Sequence, residues 1–385
     1  EVAFLGRTTA EPEAPDRLYA LDLGSGRTRR LAPTVESARQ FGGVLVAEPQ
    51  GRYILVDLPA GNLHRIVAVP RDGAGSLATW ITLTQQTWFA DVGADGSLYL
   101  DQIERPAEGL RFPASGGDPE RLAISDTALY ADLAALPFPD GRVLLPSRAA
   151  GRDRLLVVTP GKEPVPFLDT PEESSTPATL VGDREVAFLA GASAGRAIAV
   201  ASLRDGRIVR RLTGAKGAGI TSLAASPDGQ TLYYVASGTI WAIPSTDGQP
   251  RKIRSGDSLA VTPGSGDLIV KLNEKDGVRL VRVPAAGGPE QALAVQGGVH
   301  LAPTPLAPNA VDKDGRVLTQ ITTSDSWFWP SAVLDPHTGA LTKLPVRYLG
   351  DMTMPGWTSD GRVVLTGLPL KSNMWRFRPQ TGQVR

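Results

Sequence analysis

A tight turn followed at once by an apolar strand recurs along this chain, at intervals that leave room for little besides four short strands. It occurs as EPQGRYILV at Gly51, GADGSLYL at Gly96, FPDGRVLL at Gly141, VGDREVAFL at Asp183, SPDGQTLYYV at Gly229, PGSGDLIV at Gly266, DKDGRVL at Gly315 and TSDGRVVL at Gly361, 37 to 49 residues apart. Ser226-Pro227-Asp228-Gly229 shows the chemistry. Pro presets the second turn position, Asp bonds its own backbone, and Gly supplies positive φ. The apolar run Leu232 to Val235 follows, and Thr239 to Ile243 then alternates side chains with the period of a half-buried strand. A repeat of about 45 residues holds four strands of five or six residues and their turns, the size of one propeller blade.

Further marks recur. A short apolar stretch precedes the turn, as at Val44 to Ala47 and Ile220 to Ala225, and a Pro- or Gly-containing turn follows the next hairpin, as in IPSTDGQPRKI at Ile243 and FPASGGDPERL at Phe112. The opening EVAFLG recurs at Glu185 to Leu189, so Glu1 enters its repeat at the second strand, with the first inner strand missing or supplied from elsewhere. Counting that fragment gives nine repeats, whereas propellers commonly close with four to eight blades. The expectation is an all-β chain, a β-propeller of four-stranded antiparallel blades forming a single domain over 1–385, with eight blades favoured in a range of seven to nine. The Pro-rich segment Ala302 to Pro308 is then an excursion, and Pro164 to Pro177 a long surface loop.

Composition narrows the partners. With 40 Lys and Arg against 40 Asp and Glu, no excess charge favours nucleic acid or an anionic membrane surface. The 42 Gly and 32 Pro punctuate the chain too often for long helices. Cysteine is absent, which excludes disulfides, thiolate nucleophiles and Cys-ligated zinc. No apolar run reaches the roughly 18 residues of a spanning helix, so membrane insertion by this segment is not expected. Because residue 1 is Glu, a processed form or an excised domain is expected.

The turn and strand SPDGQTLYYV, the variant GWTSDGRVVL at Gly356, and the following IWAIP and MWRFRP resemble the PD40/TolB-type, WD40-like propeller repeat. That resemblance covers nearly the whole chain. It implies a propeller of the kind found in TolB-like periplasmic proteins, in the propeller of prolyl oligopeptidase relatives, and in the C-terminal sensor regions of bacterial Ser/Thr protein kinases. The chain has neither an α/β-hydrolase domain nor a kinase signature, so neither activity carries over.

Motifs with a chemical sound have simpler readings. Gly191-Ala192-Ser193-Ala194-Gly195 has the G-x-S-x-G spacing of a nucleophile elbow, but it joins two strands where that mechanism needs a strand-to-helix turn. Asp312-Lys313-Asp314-Gly315 has the look of a calcium loop, yet Ala310 and Ile321 stand where an EF-hand needs ligands, and recurrence assigns these Asp residues to turns. GAKGAG at Gly214 lacks the Ser or Thr and the helix of a phosphate loop. His64, His300 and His337 show no metal-pair spacing. Trp241, Trp357 and Trp375 sit at repeated positions and read as core between blades.

What fails to repeat is where function is sought. Trp88 and Asp91 on one inner strand, His300 at the start of another and Asp351 are the candidate ligand-binding residues at the channel mouth, and Trp327, Phe328 and Trp329 form a candidate interaction loop. The expected function is a non-catalytic binding or sensor module for a protein, peptide or small-molecule ligand, periplasmic or extracellular. No catalytic set, metal or cofactor is expected, and attachment to a kinase outside this chain is one expected context. Two alternatives stand: a propeller hydrolase or lyase with a channel-mouth site, and a structural interaction scaffold.

Overall fold

The computed structural model describes residues 1–6, 17–32, 44–60, 63–73, 76–84, 87, 90–104, 106–128, 134–149, 152–192, 195–215, 219–326, 328–369 and 371–378. Among these residues there are 34 strands and no α-helix. The strands pair antiparallel into nine sheets, seven of four strands and two of three. The chain is an all-β propeller, as the repeats predict. It divides into two compact units, Arg105–Pro369 and Glu1–Glu104 with Leu370–Arg385. Six sheets lie in the first and three in the second, against an expectation of eight blades in a range of seven to nine.

In the unit 105–369 the first strands of the sheets are Leu136–Pro137, Ser174–Val181, Ile220–Ala225, Ser258–Val261, His300–Leu301 and Asp351–Trp357. Five sheets are hairpin-connected in chain order. The sixth is assembled from both ends of the unit: Asp351–Trp357 and Arg362–Leu368 supply two strands, Pro106–Pro113 pairs with Arg362–Leu368, and Glu120–Ala128 completes the edge. Each pair of neighbouring sheets shares one buried apolar cluster. These join sheet 136–166 to 174–212, then 220–255, 258–293, 300–343 and the composite sheet, which returns to 136–166. Six interfaces for six sheets make a ring closed by face-to-face packing, with only the first and last strands of each sheet as edges.

Two expectations are revised here. Only 169–173 of the segment 164–177 is a surface loop. Phe167 is buried between Phe138 and Phe188, with ring centroids 6.2 and 6.0 Å away, and Ser174–Val181 is a first strand. The apolar weight of Phe167 and Leu168 outvotes the flanking prolines. Residues 302–308 do leave the sheet, but the repeat around them still forms a blade: His300–Leu301, Val317–Thr322, Ser331–Leu334 and Leu341–Lys343 follow one another. The segment turns inward, burying Leu306 and Ala307.

The unit 1–104 with 370–385 contains the sheet Val2–Gly6, Arg17–Leu21, Thr28–Arg30, the sheet Leu45–Ala47 to Ala78–Leu83, and a third in which Lys371–Phe377 pairs with Leu98–Glu104 and the latter with Ala90–Val92. The first of these has three strands, consistent with an entry at a second strand. Trp375, expected in a core, is 53% exposed on Lys371–Phe377. This strand is the edge of its three-stranded sheet among the described residues. Trp357 does lie in the core, beneath the Arg316 guanidinium at 5.3 Å.

Candidate functional site

The acidic turns are occupied by their own backbone. Asp228 accepts from Gln230 N at 3.0 Å and from Ser226 Oγ at 2.5 Å, and Asp312 accepts from Asp314 N at 3.0 Å and Arg316 N at 2.8 Å. Hydrogen bonds to the carboxylate form favour it. Ser97 N–H and hydroxyl, with Arg376, hold Asp95 at about 2, and Arg362 with Thr358 does the same for Asp360. Among the described residues no three His, Asp or Glu side chains converge as metal ligands.

In the unit 105–369 the first strands all run the same way, because each blade repeats the same up-and-down order, so their beginnings gather at one mouth. Pairing places Ser258 opposite Lys271 and Thr353 opposite Thr366. Two residues nearer the mouth stand His300, opposite Thr322, and Asp351, opposite Leu368. Two of the expected ligand-binding residues therefore share one level on successive first strands. His300 is exposed and Asp351 half-buried.

Below that level the second strands bury a polar side chain that sequence reasoning overlooked. Lys271, Gln320 and Thr366 close the tetrads Leu-Ile-Val-Lys, Val-Leu-Thr-Gln and Val-Val-Leu-Thr, and all three are buried. Gln320 accepts from Met354 N of the next blade at 3.4 Å and donates to Trp329 O at 3.4 Å. The Lys271 ammonium has no acceptor among the described residues. Burial alone pushes it down to about 7, since desolvation disfavours the charged form.

Trp329 is 39% exposed just ahead of Ser331–Leu334, with Phe328 half-buried beside it. Ser326 orders this turn: its hydroxyl donates to Phe328 O at 2.9 Å and accepts from Phe328 N at 3.1 Å. Trp327 lies outside the described residues.

In the other unit, Asp91 is exposed on Ala90–Val92 and accepts from Val92 N at 2.8 Å; Trp88 lies outside the described residues. Asp57 and Asp101 close the equivalent tetrads Ile-Leu-Val-Asp and Leu-Tyr-Leu-Asp, and both are buried. Asp57 Oδ1 lies 3.2 Å from His64 Nδ1, so His64 is oriented by a carboxylate that has no contact with water. Burial raises the Asp57 carboxyl, against the pull of His64. A polar residue recurring at the fourth place of an otherwise apolar strand was the signal for all five.

No protein-family model matches the sequence, and no curated protein does. Among solved structures, the Agrobacterium tumefaciens protein assigned as TolB is 13% identical, with a TM-score of 0.52 over 69% of this chain and 99% of that one. In fold, the chain resembles the TolB-type β-propeller. TolB from Acinetobacter baumannii is 14% identical, with a TM-score of 0.42 over 84% of this chain and 83% of its own. A Bacteroides uniformis protein assigned as a 6-phosphogluconolactonase is 12% identical, with a TM-score of 0.32 over 96% of this chain and 98% of its own. At these identities the TolB likeness carries the fold alone.

Proposed function

We propose that this chain is a non-catalytic propeller that binds a protein or peptide, as the extracytoplasmic binding region of a bacterial signalling or envelope protein. The observation that carries this reading is the aromatic turn at Phe328 and Trp329. A tryptophan on a polar surface costs solubility and supplies large contact area at small entropic cost, which is what a binding hot spot needs. Its backbone is held by Gln320 from below and by Ser326 alongside, so the ring is displayed from an ordered turn. His300 and Asp351 at the mouth, Trp88 and Asp91 in the other unit, and Trp327 in the same turn are the remaining residues assigned to binding. The TolB-type fold supports a binding role, and no helix among the described residues is long and apolar enough to cross a membrane.

The test places a photo-crosslinking benzophenone side chain at position 329, and a control at Arg184 on an exposed turn, in cells that express the protein from its own gene. A discrete adduct is expected at 329 and not at 184. The partner identified from it, once purified, should bind the wild type, and Trp329→Ala should weaken that binding at least tenfold at unchanged thermal stability. Equal crosslinking at both positions, or unaltered binding by Trp329→Ala, would refute the reading.

A further inference from the structure

Eight lysines stand against 32 arginines in this chain. Every ion pair of a long-chain cation among the described residues is made by arginine. Lys271 is different: it is 1% exposed, and its Nζ meets no acceptor among the described residues. Its direction follows from register. Ser258 lies opposite Lys271 on one side and Leu280 on the other, and Ile269 stands two residues before it on the same face. Ile269 and Leu280 both belong to the cluster shared with the next blade, so the lysine points toward that blade.

The segment 302–308 is bonded to the lysine's neighbours on that face. Ser258 Oγ accepts from Leu306 N at 3.0 Å, and Asn273, two residues beyond Lys271 on the same face, donates from Nδ2 to Pro303 O at 3.4 Å. These two bonds pin the segment on either side of Thr304. Thr304 is 7% exposed, and its hydroxyl is likewise without a partner. The carboxylates nearby are otherwise engaged. Asp257 accepts from Asn273 N at 2.7 Å, Glu274 pairs with Arg279, and Asp267 with Arg282. An ammonium and a hydroxyl, both buried, both able to donate and both lacking an acceptor, are complementary to a ligand that only accepts.

We propose that Lys271 and Thr304 form a binding site for one carboxylate group beneath the strap 302–308. The anion enters from the mouth marked by His300, two residues before the strap. Three prolines, at 303, 305 and 308, deprive the strap of backbone donors; Ala302 N still donates to Gln320 O at 2.9 Å, and beyond it the side chains of Ser258 and Asn273 bind the strap. This site is separate from the aromatic turn, and its failure would leave the binding reading above intact.

The experiment uses protein labelled with 13C at the lysine ε-carbon, where the eight resonances are few enough to separate and Lys271→Met identifies the one of interest. Sodium acetate is titrated against sodium chloride at constant ionic strength. Acetate should shift the Lys271 resonance saturably while the other lysines stay in place, and should raise the melting temperature of the wild type but not of Lys271→Met. Thr304→Val should weaken the response about tenfold. Acetyl-triglycine and its C-terminal amide separate the sources: a response to acetate alone assigns a free small acid, and a response to the peptide acid but not its amide assigns a chain terminus. A Lys271 resonance indifferent to acetate and to the peptide, or equal stabilisation of wild type and Lys271→Met, overturns the proposal. If Lys271→Met fails to fold, the wild-type titration and Thr304→Val decide between the same outcomes.

Discussion

Replacing Lys271 by Met should stabilise the protein, by an amount that depends on pH in a direction opposite to most lysines. The ammonium has an ordinary value of 10.5 in the unfolded chain and about 7 when buried. The unfolded chain therefore holds this proton more tightly, and wild-type stability climbs as pH rises from 7 to 10.5 and is lowest below 7. At about 1.4 kcal/mol for each tenfold change in proton affinity, the folded state gives up about 5 kcal/mol below pH 7, about 4 at pH 7 and about 1 at pH 10. Methionine keeps the buried stem at similar volume and removes the charge. In buffers free of carboxylates, urea midpoints of wild type and Lys271→Met measured from pH 7 to 10 should start about 4 kcal/mol apart and converge to about 1. The variant should melt on the order of 10 °C higher at pH 7. The groups on the elements around Lys271, namely Asp257, Glu274, Arg279, Arg282 and His300, are present in both proteins and cancel in the comparison. Parallel pH curves, or a variant no more stable at pH 7, would refute the assignment of an unpaired buried ammonium.

Three further outcomes test other parts of the structure. Gly367→Val should cost about 3 kcal/mol in urea unfolding, because a Cβ there would lie 2.4 Å from Leu110 Cδ1 and 2.6 Å from the Tyr348 hydroxyl, in the strand that closes the ring; an unchanged midpoint would mean that Pro106–Pro113 is not seated as described. Asp57→Asn should remove a pH dependence. The raised folded value means that the native state holds the proton more tightly, so wild-type stability falls as pH rises above the unfolded value of 3.8, and the variant should lack that fall in melting curves between pH 3.5 and 6. Arg210→Lys should cost about 1 kcal/mol, since the guanidinium makes two bonds to Glu185, at 2.8 and 2.6 Å, and a third to Ser245 O of the next blade at 2.6 Å, and an ammonium cannot reproduce the three; double-mutant cycles with Glu185→Gln should show coupling.

The aromatic turn and the mouth illustrate how far a sequence can be read toward a site. The sequence offers His300 and Asp351 as polar groups on inner strands, and the pairing sets them at one level of adjacent first strands, which leaves a binding role to experiment. Lys271 is not legible as a site in the sequence, since a lysine in Leu-Ile-Val-Lys-Leu-Asn reads as the polar face of an alternating strand. Only the neighbouring blade and the strap turn that face into an interior.

The local chemistry of the turns determined the all-β character and the role of the repeated aspartates by itself. A Pro-Asp-Gly turn is specified by hydrogen bonds that close within about five residues, as Asp228, Asp312 and Asp360 show, so a short window contains the whole cause. Tertiary structure decided which strands share a sheet where the ring closes. GADGSLYL and the following Phe112 turn read as one repeat, yet Leu98–Glu104 pairs with Lys371–Phe377, and Pro106–Pro113 pairs with Arg362–Leu368. A strand edge is a row of backbone donors and acceptors with no sequence identity of its own, so any strand of the right length can fill it. Ring closure selects the partner, from some 250 residues away. Packing likewise decides exposure: Trp375 is 53% exposed on an edge strand, while its counterparts Trp241 and Trp357 pack in clusters shared between blades.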